Sequence, residues 1–234
     1  MGSGRAAGAR RQGTTTVVSL TTGSPSPSFA LDRSPGRRYR RAVRDDFQPG
    51  GRPPAPAPLR VVQDFVNTEV PDFHQDDVAT PGALADWLAR RGLVAAGDSV
   101  DAALFVEARA LRAALRELAL ANTLGSPPSA ARSDEIDATL RAFPLAVRLI
   151  HGRPRLVPVV GGARGGLAAL VAVVAEARAE GSWDRLKACR QETCGWVFYD
   201  GSRNRSSSWC SMRVCGGRAK ASSYRRRHAA GTAR

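Results

Sequence analysis

Cys189-Arg-Gln-Glu-Thr-Cys194, fifteen further residues, then Cys210-Ser-Met-Arg-Val-Cys215: this stretch holds every cysteine of the 234-residue chain. Two cysteine pairs bracketing a hairpin-length segment form the donor set of a tetrahedral zinc site, because zinc takes soft thiolate ligands. The x4 spacing within each pair is wider than the commonest x2 but lies inside the usual ligand range. Four thiolates fill the coordination sphere and leave no position for water or substrate. The expected cofactor is therefore one structural Zn2+, held by Cys189, Cys194, Cys210 and Cys215. The alternatives are two disulfides or four unrelated buried thiols. Clustering argues against coincidence, and a redox dithiol wants Cys-x2-Cys beside a βαβ unit, which this segment lacks.

Between the pairs, Gly195-Trp-Val-Phe-Tyr199 reads as a strand and Asp200-Gly201 as a turn. Its aromatics have two roles open to them, the core of a small module or a platform for bases, and core is the commoner use. Beyond Cys215 the chain runs Gly-Gly-Arg-Ala-Lys-Ala-Ser-Ser-Tyr-Arg-Arg-Arg-His, predicting a helix over Ala219–His228 with mostly cationic exposed positions. Arg203, Arg205, Arg213, Arg218, Lys220, Arg225, Arg226 and Arg227 then form one dense positive surface. Such a surface binds phosphates with release of counterions, and arginine can also read guanine edges. The alternative is a solvated basic tail after a metal knuckle.

The charge is uneven along the chain. Residues 1–58 carry ten Arg against three acids, 59–182 thirteen Arg against fifteen acids, and 183–234 twelve Lys or Arg against three. The formal net charge of +14 thus resides at the two ends and points to an anionic partner, nucleic acid or an acidic membrane surface. The most apolar run, Gly165–Ala175, is too short to span a bilayer, and Thr14–Leu20 falls short of a secretory h-region. A cytoplasmic protein with reduced thiols is expected, nucleoid-associated when bound.

The Arg-, Gly-, Ser- and Pro-rich segment 1–58 buries too little to offset its ordering entropy and is expected to be a disordered tail. From Leu59 the pattern becomes that of a folded α+β domain in which helices dominate. Leu59–Val66, rich in β-branched residues, suggests a short strand ending at Asn67-Thr68. Thr80-Pro81 opens a helix that Gly92 closes. Asp98 or Ser99 caps the next helix, with Leu104, Ala108, Leu111, Leu115 and Leu118 on its apolar face and Glu107, Arg112 and Arg116 opposite. Ser133-Asp-Glu starts a third helix. Leu145–Ile150 and Arg155–Val160 flank His151-Gly-Arg-Pro154 as a hairpin with an edge strand at Pro158. Gly161–Gly166 reads as a flexible loop before an apolar, largely buried helix, Leu167–Arg178.

Four segments carry a resemblance: Trp183-Asp-Arg-Leu-Lys-Ala-Cys189, Cys194-Gly-Trp-Val-Phe-Tyr-Asp, Ser202-Arg-Asn-Arg-Ser206, and Trp209-Cys-Ser-Met-Arg-Val-Cys-Gly-Gly-Arg-Ala-Lys220. Together they resemble the CGNR-type zinc finger of bacterial proteins. Upstream, Gln63-Asp-Phe-Val-Asn-Thr68 and Thr80-Pro-Gly-Ala-Leu-Ala-Asp-Trp-Leu88 resemble the ABATE domain usually joined to that finger in stress-induced transcription regulators. The resemblance covers about 59–227, leaves the first 58 residues unmatched, and implies an ABATE-like sensor or dimerisation domain (59–182) and a four-cysteine finger of zinc-ribbon or treble-clef type (183–228), with a flexible end expected at 229–234. It also implies a DNA-binding regulator, with a small-molecule effector and a homodimer as further expectations. Gly217 stands where the family motif has Asn.

No catalytic constellation is visible. Asp72, His74, Asp76 and Asp77 read as a solvated loop, His151 and His228 lack a nucleophile or acid partner, and Asn67-Thr68 reads as a turn or, alternatively, the lining of an effector pocket. The rival functions are an enzyme with its site in 59–182, or a zinc-stabilised RNA- or protein-binding module.

Overall fold

The apolar residues of Leu59–Val66 recur at helical spacing: Leu59, Val62, Phe65 and Val66 are all buried. In the computed structural model, which describes residues 48–231, this stretch is helix α1 (Leu59–Val66), not a strand. Its β-branched content argues for a strand, but burying one 3.6-period face outweighs that small preference. Strands β1 (Glu69–Val70) and β2 (Gln75–Asp76) follow as a short antiparallel hairpin around a 3-10 turn at Pro71–Phe73.

Helix α2 (Pro81–Arg90) starts as expected, with the Thr80 hydroxyl accepting from the Ala83 amide at 3.2 Å. Helix α3 (Ala102–Leu124) is capped not by Asp98 or Ser99 but by Asp101, whose carboxylate accepts from the Leu104 amide at 2.7 Å. Asp98 instead accepts from the Ala95 amide in the preceding turn. Helix α4 (Ala130–Arg141) begins before Ser133, because Ser129 supplies the cap first.

Strands β3 (Leu145–Ile150) and β4 (Arg153–Pro158) form the anticipated hairpin with a tighter turn. His151 and Gly152 alone make the connection, both at positive φ (50° and 74°), as a two-residue turn matched to strand twist requires. Helix α5 (Gly162–Ala179) swallows most of the glycine-rich run that read as a loop. Those glycines serve close approach: a Cβ on Gly165 would sit 2.3 Å from the Val160 carbonyl oxygen, and one on Gly166 2.9 Å from that of Leu93. The helix is buried along most of its length, with Leu167, Ala168 and Leu170 inaccessible to solvent.

Strands β5 (Leu186–Ala188) and β6 (Val197–Tyr199) pair antiparallel, and helix α6 (Gly217–Gly231) ends the described chain, running past the expected start of a flexible end at residue 229. Leu186, Ala188 and Val197 belong to the same apolar core as α1, α3 and α5. A second cluster joins Val70 to Trp196, Phe198 and the four cysteines. The aromatics between the cysteine pairs are therefore core.

Residues 48–58 correct the expected disorder of the first segment; residues 1–47 lie outside the described residues. Ala55 is buried and its amide donates to Gln63 Oε1 at 2.8 Å. Gln48 Oε1 accepts from Gln63 Nε2. Arg52 donates to the carbonyls of Trp209 and Cys210 and lies over the Phe198 ring. This stretch straps α1 to the cysteine-bearing part of the chain.

Candidate metal centre and basic surface

Cys189 follows β5, and its amide donates to the Trp196 carbonyl at 2.8 Å; Cys194 closes a turn onto the Gln191 carbonyl, and Gly195 leaves it at φ 59°. Cys210 precedes a π-helical turn at Met212–Gly216, and Cys215 lies within it. All four thiols are buried and unpaired by disulfides. Their Sγ atoms lie within 4.8 Å of one another, with 3.7 Å between Cys194 and Cys210 and between Cys210 and Cys215. A tetrahedron with zinc–sulfur bonds of about 2.3 Å has edges of about 3.8 Å. The residues fit the ion.

The chemistry of the donors agrees with that geometry. Hydrogen bonds from Cys194, and then Cys210, pull the Cys189 thiol far below its usual range. The hydrogen bonds that Cys194 and Cys210 make to Cys189 push both of those thiols up, and burial pushes Cys215 up. A cation bound among the four would displace their protons and hold all of them as thiolates.

Several long-range contacts hold this centre in place. Asn67 Nδ2 donates to the Val197 carbonyl and its Oδ1 accepts from the Val197 amide, both at 2.8 Å. Gln63 Nε2 reaches the same carbonyl. Asn67 thus docks β6 onto α1, and Thr68 bonds back to the Phe65 carbonyl. Both side chains are buried and engaged by these internal contacts. The small gap among Phe65, Val78, Leu84, Phe105 and Ala108 has no room for a water molecule.

Arg112 and Arg116 do not face away from the core as the helical pattern suggested. Arg112 is buried and forks onto both oxygens of Asp76 at 2.7 Å. Arg116 gathers Glu69 and the carbonyls of Val66, Glu69 and Gly195, tying α3 to the residue after Cys194. Asp76 thereby belongs to a structural network rather than a solvated loop. Arg112 at the i+4 position from Ala108, between Leu111 and Leu115, was the legible signal.

The loop after β6 is organised from within. Asp200, wholly buried, accepts from the amides and hydroxyls of Ser202 and Ser207 and from Lys187 Nζ at 3.1 Å. Burial alone would raise its pKa, but the bonds from Ser202, Ser207 and Lys187 prevail and hold the carboxyl well below its usual range. Lys187 also donates to the Arg205 carbonyl.

That loop displays Arg203 and Arg205 in solvent, and Arg213 is exposed on the π-helical turn. Lys220, Arg225, Arg226 and Arg227 are exposed on α6, where Trp209, Lys220, Tyr224, Arg225 and Arg227 line a shallow open groove. Arg218 is engaged within the molecule: its guanidinium donates to Asp72 Oδ2 at 2.8 Å. Gly217 is helical (φ −63°), and a Cβ there would meet nothing nearer than 3.8 Å, so the family Asn would fit.

An α+β scaffold that carries a four-cysteine cluster able to hold a metal ion, followed by a basic helix, has the architecture of a zinc-finger protein. The model described as "Putative stress-induced transcription regulator" (ABATE) matches residues 59–181, and the CGNR zinc finger model matches residues 185–228. The chain belongs to the ABATE family, with a CGNR zinc finger following in the same chain. No curated protein matches it. Among the described residues, no helix is long and apolar enough to cross a membrane.

Proposed function

We propose that this protein is a cytoplasmic DNA-binding regulator in which one zinc ion per chain, held by Cys189, Cys194, Cys210 and Cys215, shapes the reading surface. The observation that carries this reading is the set of exposed cations on the loop, π-helical turn and helix that adjoin the buried four-thiol cluster. Bound zinc supplies a fixed scaffold and no reaction. The chain's own residues do the rest. Arg203 and Arg205 stand on a loop braced by Asp200 and Lys187, Arg213 stands on the π-helical turn, and Lys220 and Arg225–Arg227 line α6. Phosphates neutralised there release counterions, so affinity falls steeply with salt. Trp209 and Tyr224 add aromatic surface in the groove between cations, as single-strand and base contacts require.

Arg218 enters this reading differently from the other cations. To reach a phosphate it must leave Asp72, so the Asp72 carboxylate competes with DNA for it. The residue-59-to-182 region would carry the regulatory input through that contact and through the Arg116–Gly195 tie.

The test is a duplex-DNA titration over a salt series with zinc-loaded wild type, a Cys194→Ser/Cys210→Ser variant and Asp72→Asn. Salt-dependent binding by wild type, lost in the cysteine variant, is expected. Asp72→Asn should bind more tightly, with the salt slope steeper by about 0.9 because Arg218 is then free to neutralise one more phosphate. No salt-dependent affinity for DNA in the wild type would sink the reading. A second reading rests on Met212 and Val214, about half exposed beside Arg213: an apolar knob of this kind suits a protein partner. Loss of DNA binding on Met212→Ser would count for the nucleic-acid reading, and unchanged binding leaves the knob to a protein.

A further inference from the structure

Hairpin β3–β4 has one closed edge and one open edge. Along β4, helix α5 supplies the closure. Glu176 accepts from the Leu156 amide through Oε1 at 3.2 Å and pairs with Arg155 through Oε2 at 2.8 Å. The other residues facing that edge include Pro154 and Pro158, which have no N–H to leave unpaired. Beyond the strand ends the Val159 amide bonds to the Pro144 carbonyl, which fixes the alternation of the ladder. Leu156 pairs with Val147 in a position whose backbone groups point outward. By the same alternation, Leu145, Val147 and Leu149 direct their N–H and C=O groups away from β4, and no group among the described residues faces them.

This open edge is unusual in its chemistry. Natural edge strands are commonly blunted by lysine, proline or a bulge. Strand β3 carries one charge, Arg148, and no proline or glycine. Val147 is 68% exposed and Leu149 76%. Water can satisfy the row of alternating donors and acceptors, but the occupant that also covers the exposed Val147 and Leu149 side chains is another strand.

We propose that β3 pairs with β3 of a second copy of this chain, antiparallel about a twofold axis at Val147. In that register Val147 meets Val147 of the other copy, and Leu145 meets its Leu149. The outward N–H and C=O groups of all three residues then find counterparts. Apolar side chains lie opposite apolar ones, and Arg148 lies opposite Ala146. The neighbouring twofold register, centred on Arg148, sets two like charges directly opposite and is disfavoured. The strand is complementary to itself in main chain and apolar pattern, and this register keeps its one charge from facing its own copy, which is what an isologous contact demands. Two hairpins become one four-stranded sheet, a more stable unit than either alone. The contact is smaller than the roughly 800 Å² per partner of a standard interface, so the dimer forms in a concentration-dependent way. It does not depend on DNA binding.

Sedimentation velocity over a concentration series, with zinc-loaded full-length protein, tests the pairing. The wild type is expected to dimerise, V147K and V147D each to remain monomeric, and an equal mixture of the two to dimerise again, because the register sets their charges opposite each other. A monomeric wild type at about 100 μM, at the low-affinity end of useful association, overturns the proposal. So does a V147K variant that still dimerises, or a mixture that stays monomeric. Hydrogen exchange on the wild type alone provides a second readout if the variants misfold. Amides of Leu145, Val147 and Leu149 should become more protected as concentration rises. Free exchange at every concentration, or protection that dilution leaves unchanged, rules the pairing out.

Discussion

Two of the hairpins share a topology and differ in almost everything else. In β3–β4, six-residue strands meet across a two-residue turn, and most of their side chains are exposed. In β5–β6, three-residue strands are almost wholly buried, separated by a loop that contains two cysteines of the metal centre. The first hairpin is specified by its own sequence. The second is held by others: Asn67 at the end of α1 on Val197, Asn122 on the Leu186 carbonyl, Thr123 on the Ala188 carbonyl, and Arg52 of the strap over the Phe198 ring. Strand length and local turn chemistry therefore say little about which hairpin is the firmer; the partners decide.

Removing the metal should separate the two hairpins most sharply. A chelator, or Cys194→Ser with Cys210→Ser, should unfold β5–β6 and α6, because the apparent binding free energy of structural zinc is about 10–16 kcal/mol in finger peptides. Hydrogen exchange should show protection lost there and retained in β3–β4. Asn67→Ala comes next. It strands the buried amide of Val197 and leaves the carbonyl with Gln63 alone, at a cost of about 1–3 kcal/mol. Urea midpoints should fall accordingly, with zinc stoichiometry kept at saturating metal.

Asp200→Asn should cost about 1–3 kcal/mol near neutrality through its charged hydrogen bonds. The carboxyl is held below its usual range, so its contribution is complete above the unfolded value and fades as pH falls toward the depressed folded one. The gap between wild type and variant should therefore narrow below about pH 5; a gap that widens in acid would contradict the assignment. The smallest effect belongs to the exposed hairpin β3–β4. Gly152→Ala, at φ 74°, should cost about 1 kcal/mol and leave zinc content unchanged.

The same contrast governs what could be read from the sequence. The four cysteines, the Thr80-Pro81 helix start and the β3–β4 hairpin were legible because each is written within a few consecutive residues. Residue-level contacts of Asn67 and Arg112 were not, because their partners lie 130 and 36 positions away. Polar residues at core-facing helical positions, Gln63 and Arg112, were the only trace of those contacts. Leu59–Val66 reads as a strand for a related reason: its β-branched composition favours one, while the spacing of its apolar residues favours the helix that forms. The glycines of α5 read as a loop because what they make room for, the Val160 and Leu93 carbonyls, is not written beside them. The basic surface was visible as composition, but the capture of Arg218 by Asp72 was not.

The strap at Gln48–Ala55 has a consequence for how the chain is made. Arg52 bonds to Cys210, 158 residues later, and a ribosome adding about 5–20 residues per second needs roughly 8–30 seconds to deliver that partner. During this interval the strap can meet Gln63 but Arg52 lacks its partners, and the cysteine module cannot be complete until the strap and the residues around Cys210 have met. Synthesis and metal loading are thereby ordered in time: the helical body first, the clasp last.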